Sequence, residues 1–209
     1  ELEYIAPIIS HIHGGKNLDT KLITGASTTR YYGDKPATNT AHYHRSYGWY
    51  DHYNSALLCN ASGEVEDIYH KGKLVIGVEA VPLREIFDLF EVDLGGISGQ
   101  LGWGTEYTLF RNKDVVIGPS ICYEGLYGEY FTGFVRNGAN LMTVISNDGW
   151  WGNTPGHRRL FDFCRLRAIE TRRAIARSAN TGISGVITPR GENGSERLLW
   201  DEQGVITAE

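Results

Sequence analysis

Short apolar runs alternating with amphipathic stretches predict an α/β layered fold for this chain. Two observations carry that prediction. The apolar strands at Val115–Ile121 and Leu141–Ser146 flank a stretch with helical spacing, residues 126–137, which closes at Gly138. No internal repeat or low-complexity linker interrupts the alternation. With 209 residues, 41% of them hydrophobic and 22% charged, the chain has the material for one sizeable core.

In chain order, residues 21–26 and 55–60 spell strands. Residues 65–69 pair with the latter across the turn Ala61-Ser62-Gly63. Residues 83–90 have helical spacing and follow Pro82, a good helix starter. Strand 115–121, helix 126–137 and strand 141–146 come next. The longest helical pattern covers 157–179, with Leu160, Phe163, Cys164, Ala168 and Ala174 on one face and Arg165, Glu170, Arg172 and Arg173 elsewhere. Strand 183–188 follows, and 198–201 with 205–207 form a closing hairpin around Glu202-Gln203-Gly204. Residues 30–54 and 91–106 are rich in Gly, Tyr, His and Asn with weak periodicity, and read as long lids or substrate-facing arms.

Composition excludes several function classes. Net charge is −5 and nothing clusters Lys and Arg with aromatics, which argues against a nucleic-acid partner. No apolar run approaches the ~18 residues of a membrane-spanning helix, and Glu1-Leu2-Glu3-Tyr4 does not start a signal peptide. The three cysteines, Cys59, Cys122 and Cys164, are too sparse and odd for a disulfide framework. His11-Ile12-His13 and His42-Tyr43-His44 have strand-type metal spacing but no matching carboxylate or Cys set, so no metal is expected. The Gly-rich stretch 95–99 lacks a strand–loop–helix frame, which leaves no phosphate-binding cofactor in view. Trp103, Trp150 and Trp151 with Tyr47, Trp49 and Tyr50 suit a lipid interface, although core packing of some of these rings is favoured by the area each buries. The Arg-rich stretch 158–177 reads as an ion-paired, solvated face.

Chemistry concentrates in two segments. In Ser120-Ile121-Cys122-Tyr123-Glu124-Gly125 a buried strand ends at Cys122 and a helix begins shortly after. A thiol on such a corner lies near unpaired backbone N–H groups and the positive end of a helix, which favour thiolate. The same N–H groups suit an oxyanion. Taken alone, the segment also fits an inert strand-end thiol. In Tyr69-His70-Lys71-Gly72-Lys73-Leu74-Val75-Ile76-Gly77-Val78-Glu79-Ala80-Val81-Pro82, Lys71 can face a developing oxyanion with Glu79 positioning it. By itself the pair equally fits a solvated surface salt bridge.

Three further segments follow: Ser146-Asn147-Asp148-Gly149-Trp150-Trp151-Gly152-Asn153-Thr154-Pro155-Gly156, then Arg165-Leu166-Arg167-Ala168-Ile169-Glu170-Thr171-Arg172-Arg173, then Arg177-Ser178-Ala179-Asn180-Thr181-Gly182-Ile183-Ser184. In this order after Cys-Tyr-Glu, the set closely resembles the apolipoprotein N-acyltransferases of the nitrilase (carbon–nitrogen hydrolase) superfamily, from about Leu22 to the C-terminus.

The resemblance implies a four-layer αββα sandwich with a Glu–Lys–Cys triad. Cys122 matches the nucleophile, Lys71 the catalytic lysine and Glu79 the auxiliary glutamate, in a spelling slightly off the commonest pattern. Tyr123, Glu124 and Trp150 match positions lining the acyl and substrate cleft. The implied activity moves an acyl chain from a phospholipid, through a Cys122 thioester, to the N-terminal amine of a diacylglyceryl-cysteine lipoprotein. The implied place is the periplasmic side of the bacterial inner membrane. One departure stands out: the family's general-base glutamate belongs to a Pro-Glu motif, and before Leu22 this sequence offers only Glu1 and Glu3. Residues 1–209 are therefore expected to form one nitrilase-like domain, a fragment without its first strand and flanking membrane helices. Two alternatives stay open: a soluble nitrilase-type amidase, and a catalytically dead nitrilase-like binding domain.

Overall fold

The computed structural model of the protein describes residues 20–76, 79–80 and 100–208. The first element among the described residues is strand β1 (Leu22–Gly33), which pairs antiparallel with β3 (Gly48–Cys59) from Leu22 opposite Cys59 to Tyr31 opposite Tyr50. Short β2 (His42–His44) and β4 (Val65–His70) occupy the other edge of β3, one towards each end. The hairpin expected across Ala61-Ser62-Gly63 is present, with Cys59 opposite Val65.

Residues 30–54, expected as a loop, are a correction: most of them are strand. Apart from Arg30 and Asp51, Thr28 to Tyr32 and Trp49 to Tyr53 are β-branched or aromatic. Cross-strand ring pairs such as Tyr43 with Trp49, 5.4 Å apart, provide the pairing that apolar alternation usually signals.

The second sheet has the order β5 (Phe110–Asn112), β6 (Val115–Ile121), β7 (Leu141–Ser146), β8 (Ala174–Ala179), β9 (Gly185–Ile187). Strands β6, β7 and β8 are parallel and the two edge strands antiparallel. Parallel neighbours need crossovers, here helix α1 (Gly128–Arg136) and helix α2 (Pro155–Thr171). Pro155 sits in the first turn of α2, where its missing N–H is harmless, and Thr154 caps it by accepting from Gly156 N.

The single helix expected over 157–179 divides. It ends at Thr171, Arg172 turns left-handed at φ 53°, and the next residues form β8. Six consecutive pairings with β7, from Leu141–Ala174 to Ser146–Ala179, outweigh the helix propensity of Ala174-Ile175-Ala176-Arg177. The closing hairpin over 198–207 is also absent: Leu198 bridges Ser184 instead, and 202–208 carry no regular structure. The helix expected at 83–90, His11 and His13, and the Gly-rich stretch 95–99 lie outside the described residues.

Alternation fixes the layers. Ile23, Ala56, Leu58 and Tyr69 of the first sheet enter the main core. A Cβ on Gly25 would lie 3.1 Å from Ile145 Cγ2, so the sheets approach closely there. On the other face of β7, Met142 and Val144 pack with Phe131 and Phe134 of α1 and with Phe161, Cys164 and Ala168 of α2. The described residues thus stack sheet on sheet on helices.

Candidate active site

The parallel strands β6, β7 and β8 end on one side, and the residues that follow them gather there. Cys122 is the first residue after β6 and opens a 3-10 turn, Cys122–Leu126, that leads into α1. Its φ is +50°, a left-handed conformation uncommon for a residue with a Cβ. It is half-buried, whereas Cys59 and Cys164 are buried and burial pushes both of their thiols up. Cys122 is therefore the thiol a reagent can reach.

Glu124, two residues on, ties this corner to the segment after β4. Its Oε1 accepts from Tyr69 Oη at 2.6 Å, Gly72 N at 2.7 Å and Lys73 N at 3.1 Å, while Oε2 accepts from Ile121 N at 2.7 Å. The carboxyl group is wholly buried. Desolvation pushes its pKa up, and these four hydrogen bonds pull the other way. The sequence reading puts Glu124 on a cleft wall; in the structure its carboxylate is buried and is spent on the Tyr69 hydroxyl and three backbone N–H groups. It clamps the Lys71 segment against the Cys122 turn.

Lys71 and Glu79 do meet. Lys71 Nζ donates to both carboxylate oxygens, at 2.9 and 2.7 Å, and both side chains are almost fully buried. This is no solvated surface pair. Irregular chain holds it in place: Lys71 N donates to Asn54 O, Gly104 N to Lys71 O, and Leu101 N to Glu79 O. The Glu79 carboxylate also accepts from Asn54 Nδ2 and Val75 N, each at 2.8 Å. Two of the three ammonium N–H bonds serve Glu79, which among the described residues leaves one donor to direct at a ligand oxygen.

Tyr123 is half-buried, its ring 5.6 Å from that of Tyr127. Trp150, in the 3-10 turn Gly149–Trp151 after β7, is 52% exposed. The His42 and His44 rings lie against those of Tyr50 and Tyr47.

One buried group was not anticipated. Asp148 accepts from Ser146 Oγ at 2.5 Å and from Arg177 Nη2 at 3.1 and 2.8 Å. Arg177 also donates to Ile183 O. Asp148 is fully buried and Arg177 nearly so. The available signal was two opposite charges at the same ends of adjacent parallel strands, hidden by reading 174–179 as helix.

A cleft of about 520 Å³ opens elsewhere, between Ile23 and the β7–β9 face, and Glu202 and Gly204 also line it. Cys122, Lys71 and Glu79 do not line it. The chemistry-bearing side chains, and not this concavity, define the site.

Together the thiol, the ammonium and the surrounding N–H groups can form and hold a thioester through a tetrahedral oxyanion. The model of the Carbon-nitrogen hydrolase family matches residues 35–209. The chain is 37% identical over 167 residues to an apolipoprotein N-acyltransferase of Chlorobaculum tepidum, covering 77% of this chain and 31% of that protein. It is 31% identical over 203 residues to one of Bdellovibrio bacteriovorus, covering 93% of this chain and 35% of the relative. The chain thus spans about a third of the length of these curated relatives. Among solved structures, an amidase from Nesterenkonia sp. AN1 superposes with a TM-score of 0.60 at 17% identity, covering 100% of this chain and 70% of that one. A Saccharomyces cerevisiae member of branch 10 of the nitrilase superfamily gives 0.55 at 21% identity, over 73% and 51%. These structural likenesses carry the fold.

Proposed function

This chain belongs to the carbon–nitrogen hydrolase family, and within it we propose that it is the thiol-bearing domain of an apolipoprotein N-acyltransferase. One observation carries the reading beyond the relatives' names: a buried Lys71–Glu79 pair with a spare N–H is clamped, through Glu124, to the turn that presents Cys122.

In the proposed reaction the Cys122 thiolate attacks the carbonyl carbon of a phospholipid ester. The free N–H of Lys71 and a backbone N–H beside Tyr123 stabilise the oxyanion. The lysophospholipid alkoxide leaves with a proton and the acyl group stays on sulfur. The α-amine of a diacylglyceryl-cysteine lipoprotein then attacks the thioester, loses a proton, and Cys122 is released as thiolate. Glu79 holds Lys71 charged and oriented, Glu124 sets the distance between the two segments, and Tyr123 and Trp150 flank the substrate. The thiol's first proton goes to a general base, which the family pattern places in a Pro-Glu segment; no Pro-Glu dipeptide occurs in these 209 residues. The reading places the domain on the periplasmic side of a bacterial inner membrane. Among the described residues no helix is long and apolar enough to cross a membrane.

The test uses the gene product that carries these residues, incubated with phospholipid and analysed by mass spectrometry. A hydroxylamine-labile acyl adduct on Cys122, lost in Cys122→Ala and transferred to an N-terminal diacylglyceryl-cysteine peptide, is the expected result. Full transfer by Cys122→Ala sinks the reading, and release of free fatty acid or ammonia in place of transfer favours an amidase.

A further inference from the structure

The first sheet does not stop at the site. On β3 every second residue shares a face: Leu58 and Ala56 lie in the core, and Asn54 holds Glu79. His52 and Tyr50 continue the same row outward. β3 runs from Tyr53 back to Gly48 beyond Asn54, about 20 Å at ~3.3 Å per residue. The far end of β1 accompanies it, with Tyr31 opposite Tyr50.

That projecting face is a continuous layer of amphipathic rings. Tyr31 meets Tyr47 at 5.3 Å, Tyr47 meets Tyr50 at 5.2 Å, and Tyr50 meets His52 at 5.0 Å. His44 stacks on Tyr47 at 4.1 Å. The rings pack on one another and not under a core: Tyr31 is 60% and Tyr47 44% exposed. Gly102 N donates to His52 O, which brings Trp103, itself 48% exposed, to the same edge.

Charge separates this tip from the rest of the molecule. The chain carries −5 overall. Between Thr28 and His52 the exposed charges are Arg30, Lys35 and Arg45 against Asp34, because Asp51 is buried and accepts from Tyr32 and Thr38. Exposed Tyr and Trp rings next to basic side chains match the headgroup region of a lipid bilayer, where a ring body meets apolar chains, its polar tip meets water, and cations meet phosphate.

We propose that the tip of the β1–β2–β3 sheet is the surface on which this domain docks to an anionic phospholipid bilayer. The face continues directly into the row that holds Glu79, so docking there sets the Lys71–Cys122 site beside the lipid. The choice of occupant rests on the acyltransferase reading; the surface is an additional assignment.

The 209-residue chain is sedimented with vesicles of phosphatidylethanolamine and phosphatidylglycerol, and with vesicles of phosphatidylcholine alone. Tyr31→Ser/Tyr47→Ser is expected to lower partitioning by roughly tenfold, and Tyr31→Trp/Tyr47→Trp to retain it. Arg45→Ser is expected to weaken binding roughly fivefold, and only with phosphatidylglycerol present. Val205→Ser, at a 91% exposed apolar position in the C-terminal segment, binds as wild type. No binding by wild type, or equal binding by the Tyr→Ser double variant, overturns the proposal. Acylation of Cys122 by a water-soluble thioester is followed with the same substitutions in the gene product that carries these residues. If it persists while vesicle binding ignores the tip, the docking surface alone fails. If it never occurs while binding follows the tip, the acyltransferase reading fails and the surface stands.

Discussion

Two buried ion pairs lie near the same ends of these strands, and they differ in the chain that carries them and in the shape of the cation. Arg177 and Asp148 are anchored on β8 and just after β7, with Ser146 and the Ile183 carbonyl as further partners, and the buried Arg177 Nε has no hydrogen-bond partner among the described residues. Lys71 and Glu79 lie on irregular chain after β4, held by Asn54, Val75, Leu101 and Gly104. The guanidinium is a planar fork that divides its donors, Nη2 to the carboxylate and Nη1 to the Ile183 carbonyl. The ammonium is a point charge with one N–H unspent. Burial of a charge pair therefore does not mark a functional site by itself. A point-charge cation on chain that secondary structure does not dictate is the better mark.

Charge-preserving exchanges separate the two pairs. Lys71→Arg keeps the charge but not the point geometry, and acyl transfer is expected to fall about 10²-fold or more, read as single-turnover acylation of Cys122. Arg177→Lys loses the fork, and is expected to lower unfolding free energy by ~2–3 kcal/mol with transfer changed only a few-fold, measured by urea melts beside the same assay. A 10²-fold activity loss in Arg177→Lys at unchanged stability would break the comparison and move that pair into the chemistry.

A smaller effect sharpens the role of Glu124. Glu124→Gln turns one acceptor oxygen into an NH2 that meets backbone N–H groups, a mismatch worth ~1–3 kcal/mol. Destabilisation without an altered pH profile of acylation is expected in urea melts. A shifted pH profile at full stability would make Glu124 a proton carrier and not a clamp.

The smallest effect concerns His70, which accompanies Lys71 at the end of β4. Burial, with Arg30 nearby, lowers its pKa below 6.5, and its Nδ1 lies 2.8 Å from Ser55 Oγ. The unfolded chain then binds a proton that the folded one refuses. Stability should be complete above about pH 6.5 and decline as pH falls through the unfolded value. Melting temperatures between about pH 7.5 and 5.5 check this: the acid slope should be shallower in His70→Asn, and an identical slope would remove His70 as its source.

The parallel strands β6 and β7 were legible because both read as short unbroken apolar runs bounded by turn residues. Cys122 and Lys71 were legible because they sit in ordered motifs. β8 was not: Ala174-Ile175-Ala176-Arg177 has no period to separate strand from helix, and only pairing with β7 decides it. The β1–β3 tip was missed for a different reason, since it is held by ring-on-ring contacts, such as Tyr31 with Tyr47, that no apolar alternation announces. Glu124 was assigned by motif to the cleft. Its inward turn depends on where Gly72 and Lys73 arrive, and no local pattern encodes that.

The left-handed backbone at Cys122 has a practical corollary. Holding a β-carbon at φ +50° is disfavoured by roughly 1 kcal/mol or more, a penalty that glycine escapes. Cys122→Gly should therefore yield an inert domain that melts no lower than the active one, and Cys122→Val an inert domain that melts lower. Selection for foldability alone would erode this thiol, so any lineage that stops using it should lose it early, and a thermal-shift screen of substitutions at this single codon would reveal the tension.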